Sequence, residues 1–422
     1  MHRLARRIFF LFLIAAMNLV PGRVAALEDG RLFEMLILPQ EGERFQHVEF
    51  SCWIPGGVTP LRGLLIHQHG CTNASPEAHP PVTLDFHWRA LARKHRLAIL
   101  SPQYQVAGAC DEWNDPASGS ERALFTALAQ IAAESGHPEL SEVPWVLWGH
   151  SGGSSWSAQM ILRHPGRVLA ASFRGGCHKQ FGDAAFRESF GPAARELPLL
   201  FVWGKRESVP TSKHHVSWEP MNTMYRELRL RGGTVTRVID PLSEHGCDNS
   251  RLLVIPFFDA VLTSREKGVA LPGALRDMES FEPREIDTTT RMAPSLTWLP
   301  NPEMGEWWRE FSEKGTLVSA NGPLTAPELF ATRGAGGQVS LNWCIVPDLA
   351  GGVSSVILYR DGQFWKELGP APGKPLATSR DAPPEGLRAQ PFIDEQGKAS
   401  TYGLRFRDAA GNKSPAVEVG AR

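Results

Sequence analysis

Between residues 61 and 267 the chain alternates short apolar runs with longer stretches whose apolar positions recur at helical spacing. The apolar runs at 63–67, 97–101, 143–148, 168–173, 197–203 and 235–239 predict strands. The stretches between them, at 84–95, 120–135, 152–164, 214–231 and 249–262, predict helices. Ser120-Glu121 offer a cap and an acid for a first helical turn, and Gly136-His137-Pro138 stop the same helix. Strands alternating with helices make parallel βαβ units, so the predicted class is α/β, with a mostly parallel sheet covered on both faces. Residues 33–38 and 46–53 add two leading strands, expected as an antiparallel edge. Sheets of this kind bind ligands beyond the carboxyl ends of their strands.

After residue 267 the alternation fails. Residues 268–326 hold Trp298, Trp307 and Trp308, too aromatic for a free tether, and are expected as a linker packed on the core. From 327 to 422 alternating apolar positions are separated by turn residues such as Asp361-Gly362 and Ala410-Gly411-Asn412, the pattern of a small antiparallel β-sandwich. Trp343, Tyr359-Arg360-Asp361-Gly362, and Tyr402 followed by Asp408-Ala409-Ala410-Gly411-Asn412-Lys413-Ser414 resemble a fibronectin type III domain.

The 422 residues are 42% hydrophobic and 21% charged with a net charge of −1, an ordinary globular composition without the basic surface that nucleic-acid binding needs. Arg3, Arg6 and Arg7 precede an apolar run at 8–20, and the small residues Val24 and Ala26 suit signal peptidase. Residues 1–26 are therefore expected to be a signal peptide, leaving a soluble protein, secreted or periplasmic, with no membrane attachment. In an oxidising compartment cysteines pair. Of the six, Cys71–Cys110 is the first expected bridge and Cys177–Cys247 the second, with Cys52 and Cys344 as buried thiols.

The candidate chemistry centres on Gly149-His150-Ser151-Gly152-Gly153, which follows one predicted strand and opens one predicted helix. A serine hydroxyl becomes a useful nucleophile only when a base takes its proton and donors hold the resulting oxyanion. A sharp strand-to-helix turn exposes such a serine, and glycines around it keep neighbouring chain from colliding. Upstream, a strand ends in His67-Gln68-His69-Gly70-Cys71, so the Cys71 backbone N–H is the expected second oxyanion donor beside that of Gly152. Downstream, Ser243-Glu244-His245-Gly246 follows the last strand and makes His245 the expected base. The orienting acid falls between them in chain order. Glu207, after the strand at 197–203, is the first choice; Asp183 is its rival, and Asp240 is less well placed.

These residues, with His69-Gly70-Cys71-Thr72, Pro102-Gln103, and Cys110 followed by Trp113-Asn114, resemble the α/β-hydrolase superfamily, specifically secreted esterases of the polyhydroxybutyrate depolymerase type. The resemblance spans about residues 61–245 and implies an α/β-hydrolase domain over 27–267, an oxyanion donor at Cys71, and a fibronectin-like domain behind the catalytic unit. The elbow departs from the family, which favours a serine-alanine pair, and no dedicated polymer-binding domain is evident. The expected activity is hydrolysis of a carboxylic ester, small or polymeric, through an acyl-enzyme on Ser151, without cofactor or metal. His67 with His69, and His214 with His215, do not have the spacing of a recognised ligand pair. Trp113 and Trp156, near the catalytic loops, are expected substrate contacts, and the C-terminal domain is a candidate for polymer or surface contact. The competing readings are a carbohydrate acyl esterase, a serine peptidase on the same fold, and an exported binding protein without catalysis.

Overall fold

The computed structural model describes residues 23–422 except 28, 72–80, 109–111, 319–323, 346–348, 350–351, 371–373, 377–379 and 383. One sheet is built from β1 (Arg23–Leu27), β2 (Gly30–Ile37), β3 (His47–Pro55), β4 (Gly63–Gln68), β5 (Leu97–Gln105), β6 (Trp145–His150), β7 (Val168–Arg174), β8 (Leu199–Gly204) and β9 (Val235–Asp240). Its order is β1-β2-β3-β5-β4-β6-β7-β8-β9. The β1–β2, β2–β3 and β3–β5 pairs are antiparallel. Every pair from β5 onward is parallel. β5 outruns its apolar stretch because its polar tail still pairs with β3, His47 lying opposite Gln105.

The helices are α1 (Phe86–Lys94), α2 (Ser120–Ser135), α3 (Gly152–Arg163), α4 (His178–Gly182), α5 (Ala184–Ser189), α6 (Pro192–Arg195), α7 (Trp218–Leu230) and α8 (Arg251–Glu266). Successive strand residues face opposite sides of a sheet, and the apolar parallel strands supply two cores in this way. Leu65, Val146, Trp148 and Val202 pack with Trp88 and Leu91 of α1 and Leu253 and Phe257 of α8. Leu64, Ile66, Leu147 and Phe201 pack with Leu124 of α2, Met160 of α3 and Met224 of α7. This mixed sheet, sandwiched by helices and carrying a strand-to-helix turn after β6, is the α/β-hydrolase architecture. The short helices α4–α6 were not legible in the sequence, since four to six residues do not establish a helical period.

Residues 268–318 are more structured than a packed linker. β10 (Ala274–Asp277), β11 (Pro283–Arg284) and β12 (Leu296–Leu299) form an antiparallel sheet, followed by α9 (Pro302–Lys314). Asn301 caps α9 by accepting the Met304 N–H at 2.8 Å. The Trp308 indole N–H donates to the Arg237 carbonyl at 2.7 Å, fastening α9 to β9. The sandwich follows: β13 (Glu328–Arg333), β14 (Val339–Cys344), β15 (Val353–Arg360), β16 (Gln363–Leu368), β17 (Phe392–Asp394), β18 (Thr401–Asp408) and β19 (Val417–Gly420). One sheet runs β13-β14-β17 and the other β16-β15-β18-β19, all antiparallel. Its core residues Trp343, Val356 and Leu404 are continuous with the α1–α8 face of the α/β unit.

The expected export segment lies outside the described residues apart from β1, of which four of five residues precede the expected cleavage bond after Ala26. Among the described residues no helix is long and apolar enough to cross a membrane. Cys71 is disulfide-bonded; Cys110 lies outside the described residues. The expected Cys177–Cys247 bridge is not formed, and both thiols are free and fully buried. They belong to separate buried cores, Cys247 to that of α1 and α8 and Cys177 to that of α2, α3 and α7.

Candidate active site

Ser151 takes φ 53°, ψ −116°, a backbone state that residues other than glycine rarely adopt. β6 arrives buried along its whole length and α3 departs at once, so the chain must reverse within one residue. The Ser151 N–H is tied to the Arg174 carbonyl at 2.9 Å, and its own carbonyl accepts the Ser154 N–H at 3.0 Å. Two glycines make the turn sterically feasible. A β-carbon on Gly153 would stand 2.0 Å from the Gln68 carbonyl oxygen, and one on Gly176, at φ 83°, would stand 2.1 Å from that of Ser151. The start of α3 is thereby pressed onto the end of β4, and the Gly70 backbone lies against the Ser151 β-carbon. This places the Gly70-Cys71 turn beside the first N–H groups of α3.

His245 lies on the loop after β9, its ring against Gly175. Its Nδ1 is 2.7 Å from Glu207 Oε1. Glu207, 1% exposed, sits on the turn after β8, and its other oxygen accepts the Gly204 N–H at 2.9 Å and Arg174 Nη1 at 3.3 Å. His214 stacks flat on His245 with ring centroids 3.7 Å apart, and His150 Nε2 donates to the His245 carbonyl at 2.8 Å. His245 Nε2 is buried and makes no hydrogen bond among the described residues, so the imidazole and the Ser151 hydroxyl are not bonded to each other here. Burial, with His214 and Arg174 nearby, pushes the His245 pKa down to about 3 and keeps the ring neutral. Burial raises that of Glu207, against the pull of Arg174 and the Gly204 N–H.

The rival acids stand elsewhere. Asp183 is exposed and caps α5 through the Ala185 N–H at 3.0 Å; Asp240 accepts the Leu242 N–H at 2.9 Å. Both tryptophans expected at the substrate are 1% exposed. Trp156 spends its indole N–H on Ser120 Oγ at 3.1 Å, and Trp113 stacks on Tyr104 at 4.9 Å. Trp156 is a core residue because its helix position faces α2. Trp113 lines a small cavity beside Gly70.

Two features escaped the sequence reading. Arg174, fully buried at the end of β7, reaches Glu207, donates to Ser243 Oγ and to the Glu244 carbonyl at 2.8 Å each, and also reaches the Gly246 carbonyl. One side chain thus fixes the acid and the histidine loop together. Its signal was available: a lone charge at the end of an apolar parallel strand, directly before Gly175-Gly176. The second is remote in sequence. Arg380 lines the small cavity with His69, Gly70 and Trp113, and Asp381 is buried against His67, Nε2 to Oδ2 2.9 Å. His67 also stacks on Trp148 at 3.7 Å, so it is committed to structure.

Neither a protein family model nor a curated protein matches the sequence. Solved structures similar to the chain include an S-formylglutathione hydrolase from Agrobacterium tumefaciens, at 14% identity and TM-score 0.36, covering 60% of this chain and 98% of that one. Candida antarctica lipase A is similar at 10% identity and TM-score 0.39, covering 58% and 82%. A dienelactone hydrolase from Anabaena variabilis is similar at 17% identity and TM-score 0.33, covering 51% and 88%.

Proposed function

We propose that the chain is an exported serine hydrolase of carboxylic esters. The observation that carries this reading is the strained turn that holds Ser151 between β6 and α3, beside a buried Glu207–His245 pair. Ser151 Oγ attacks the acyl carbonyl while its proton passes to His245 Nε2, and the C–O π electrons move onto the carbonyl oxygen. Backbone N–H groups of Gly152 and Cys71 hold that oxyanion. Collapse expels the alkoxide, which takes the proton from Nε2, and leaves the acyl group on Ser151. Water then repeats the sequence in reverse roles and frees the acid. Glu207, bonded to Nδ1, fixes the tautomer that leaves Nε2 able to accept, and stabilises the imidazolium once it forms. A turn of the serine side chain toward Nε2 completes the set, a tightening common between resting enzymes and their substrate complexes.

The sandwich domain is proposed as an accessory unit whose segment 380–381 walls the site, in agreement with its fibronectin-like sequence. A fluorophosphonate probe should label the protein at Ser151 alone. Ser151→Ala and His245→Ala should each nearly abolish turnover of a short p-nitrophenyl ester with the circular dichroism spectrum unchanged. Full turnover in either variant removes the proposal.

A further inference from the structure

A second cleft, of about 310 Å³, opens where β10–β12 and α9 pack against the edge strand β9. Its walls are mainly apolar, including Trp218, Phe281 and Trp308, the last two with ring centroids 5.5 Å apart. Its charged lining residues are Lys205 and Arg237, and no carboxylate lines it. Among the described residues neither cation has an ion-pair partner. The Arg237 guanidinium is mostly buried. Its Nε makes no hydrogen bond, its Nη1 reaches only Met278 Sδ at 3.5 Å, and the group lies 5.4 Å from the Trp203 ring centre. Burial without a nearby carboxylate lowers its pKa. The Ser312 hydroxyl on the same wall is also buried and unbonded.

A buried charge is normally paired, because desolvation without a partner is expensive. Here a guanidinium with no carboxylate partner lines one concave, mainly apolar space of the volume usual for small-molecule sites. We propose that this cleft is a binding site, separate from Ser151, for an aliphatic monocarboxylate. The carboxylate pairs with the Arg237 guanidinium, Lys205 adds its charge at the mouth, and the alkyl chain lies along Trp218, Phe281 and Trp308. A neutral chain of equal length would gain the apolar contacts and leave the guanidinium unpaired. The site does not depend on the catalytic reading of Ser151.

Isothermal titration of the full chain with octanoate, octan-1-ol and octylammonium tests this. Octanoate should bind saturably and at least about tenfold more tightly than octan-1-ol, the difference a charge-assisted pair supplies. Octylammonium should bind more weakly than either. Arg237→Met should remove at least about tenfold of the octanoate affinity and leave octan-1-ol unaffected. Lys205→Ala, at the rim, should weaken octanoate several-fold. Absence of saturable octanoate binding to the unmodified chain overturns the proposal, as does equal affinity for octan-1-ol. Octanoate affinity unchanged in Arg237→Met places the ligand elsewhere and overturns it as well. Should that variant fail to fold, Lys205→Ala decides: unchanged octanoate affinity overturns the site.

Discussion

Replacing Asp381 by asparagine should cost about 3 kcal/mol of folding stability, the lower end of what breaking a buried ion pair costs. The side chain is fully buried. Oδ1 accepts from Arg251 Nε at 2.8 Å, and Oδ2 from His67 Nε2 at 2.9 Å and Trp88 Nε1 at 2.8 Å. Arg251, itself fully buried, also reaches Asp85 Oδ2 at 2.5 Å, and Asp85 caps α1 through the His87 N–H at 2.8 Å. Asparagine keeps the shape and tolerates the positive φ of 61° at this position, so backbone strain adds little. It removes the charge and turns an N–H group toward the Trp88 indole N–H, which can only donate. Asp85 still neutralises Arg251, which holds the loss to the lower end. Urea unfolding followed by tryptophan fluorescence and far-ultraviolet circular dichroism measures it. A double-mutant cycle with Arg251→Met should give a coupling of about 2 kcal/mol. A loss below about 1 kcal/mol, with no coupling, would refute the view that this node fastens the sandwich to the catalytic unit.

Glu207→Gln should lower kcat of ester hydrolysis by about 10²- to 10⁴-fold, since an amide bonded at Nδ1 permits the wrong tautomer; a change within twofold contradicts its role. Gly176→Ala should cost about 10²-fold in kcat/KM with the overall fold retained, because its β-carbon displaces the Ser151 carbonyl and with it the elbow. The base form of His245 persists below the ordinary histidine value, so the acid limb of the kcat/KM profile should lie well below pH ~6.5, and a limb at or above it would contradict the burial argument. Folding stability should respond to acid in the same range. Burial lowers the pKa of His67, His69, His87 and His150, so the unfolded chain binds more protons as pH drops below ~6.5 and stability falls; thermal denaturation between pH 7 and 5 reads it.

Much of the candidate site could be read in the sequence because its parts obey local rules. The elbow announces itself through glycines that must lie where backbone approaches backbone, and chain order places an acid and a histidine after it. Glu207 was separable from Asp183 only by position along the sheet, and the contact with His245 Nδ1 distinguishes them in space. The errors have a common cause. Nearness in sequence to the loops points both Trp113 and Trp156 at the substrate, yet Trp156 turns inward onto Ser120, while Trp113 stacks on Tyr104 and still lines the small cavity beside Gly70. Cys177 and Cys247 both follow strands, yet they lie in separate cores, a division that spacing along the chain does not show.

The boundary at residue 327 illustrates the deeper limit. Composition changes there, and alternation in the tail suits a sandwich that could stand alone. The fold instead spends its most buried charges on joining the parts: Arg251 and His67 from the catalytic unit close on Asp381, His87 Nε2 accepts the Val353 N–H at 3.0 Å, and Asn249 Oδ1 accepts the Leu376 N–H at 2.7 Å. No periodicity marks such residues, since each lies in a segment whose own pattern is complete without it. An arginine opening the apolar helix α8 is the available sign, because a fully buried guanidinium there requires a carboxylate from outside its own helix. The same reasoning makes the α/β unit incomplete without its tail. A chain ending at residue 326 would leave Arg251 with Asp85 as its only carboxylate, His67 without its acceptor and the α1–α8 face uncovered, so it should not fold as an independent unit.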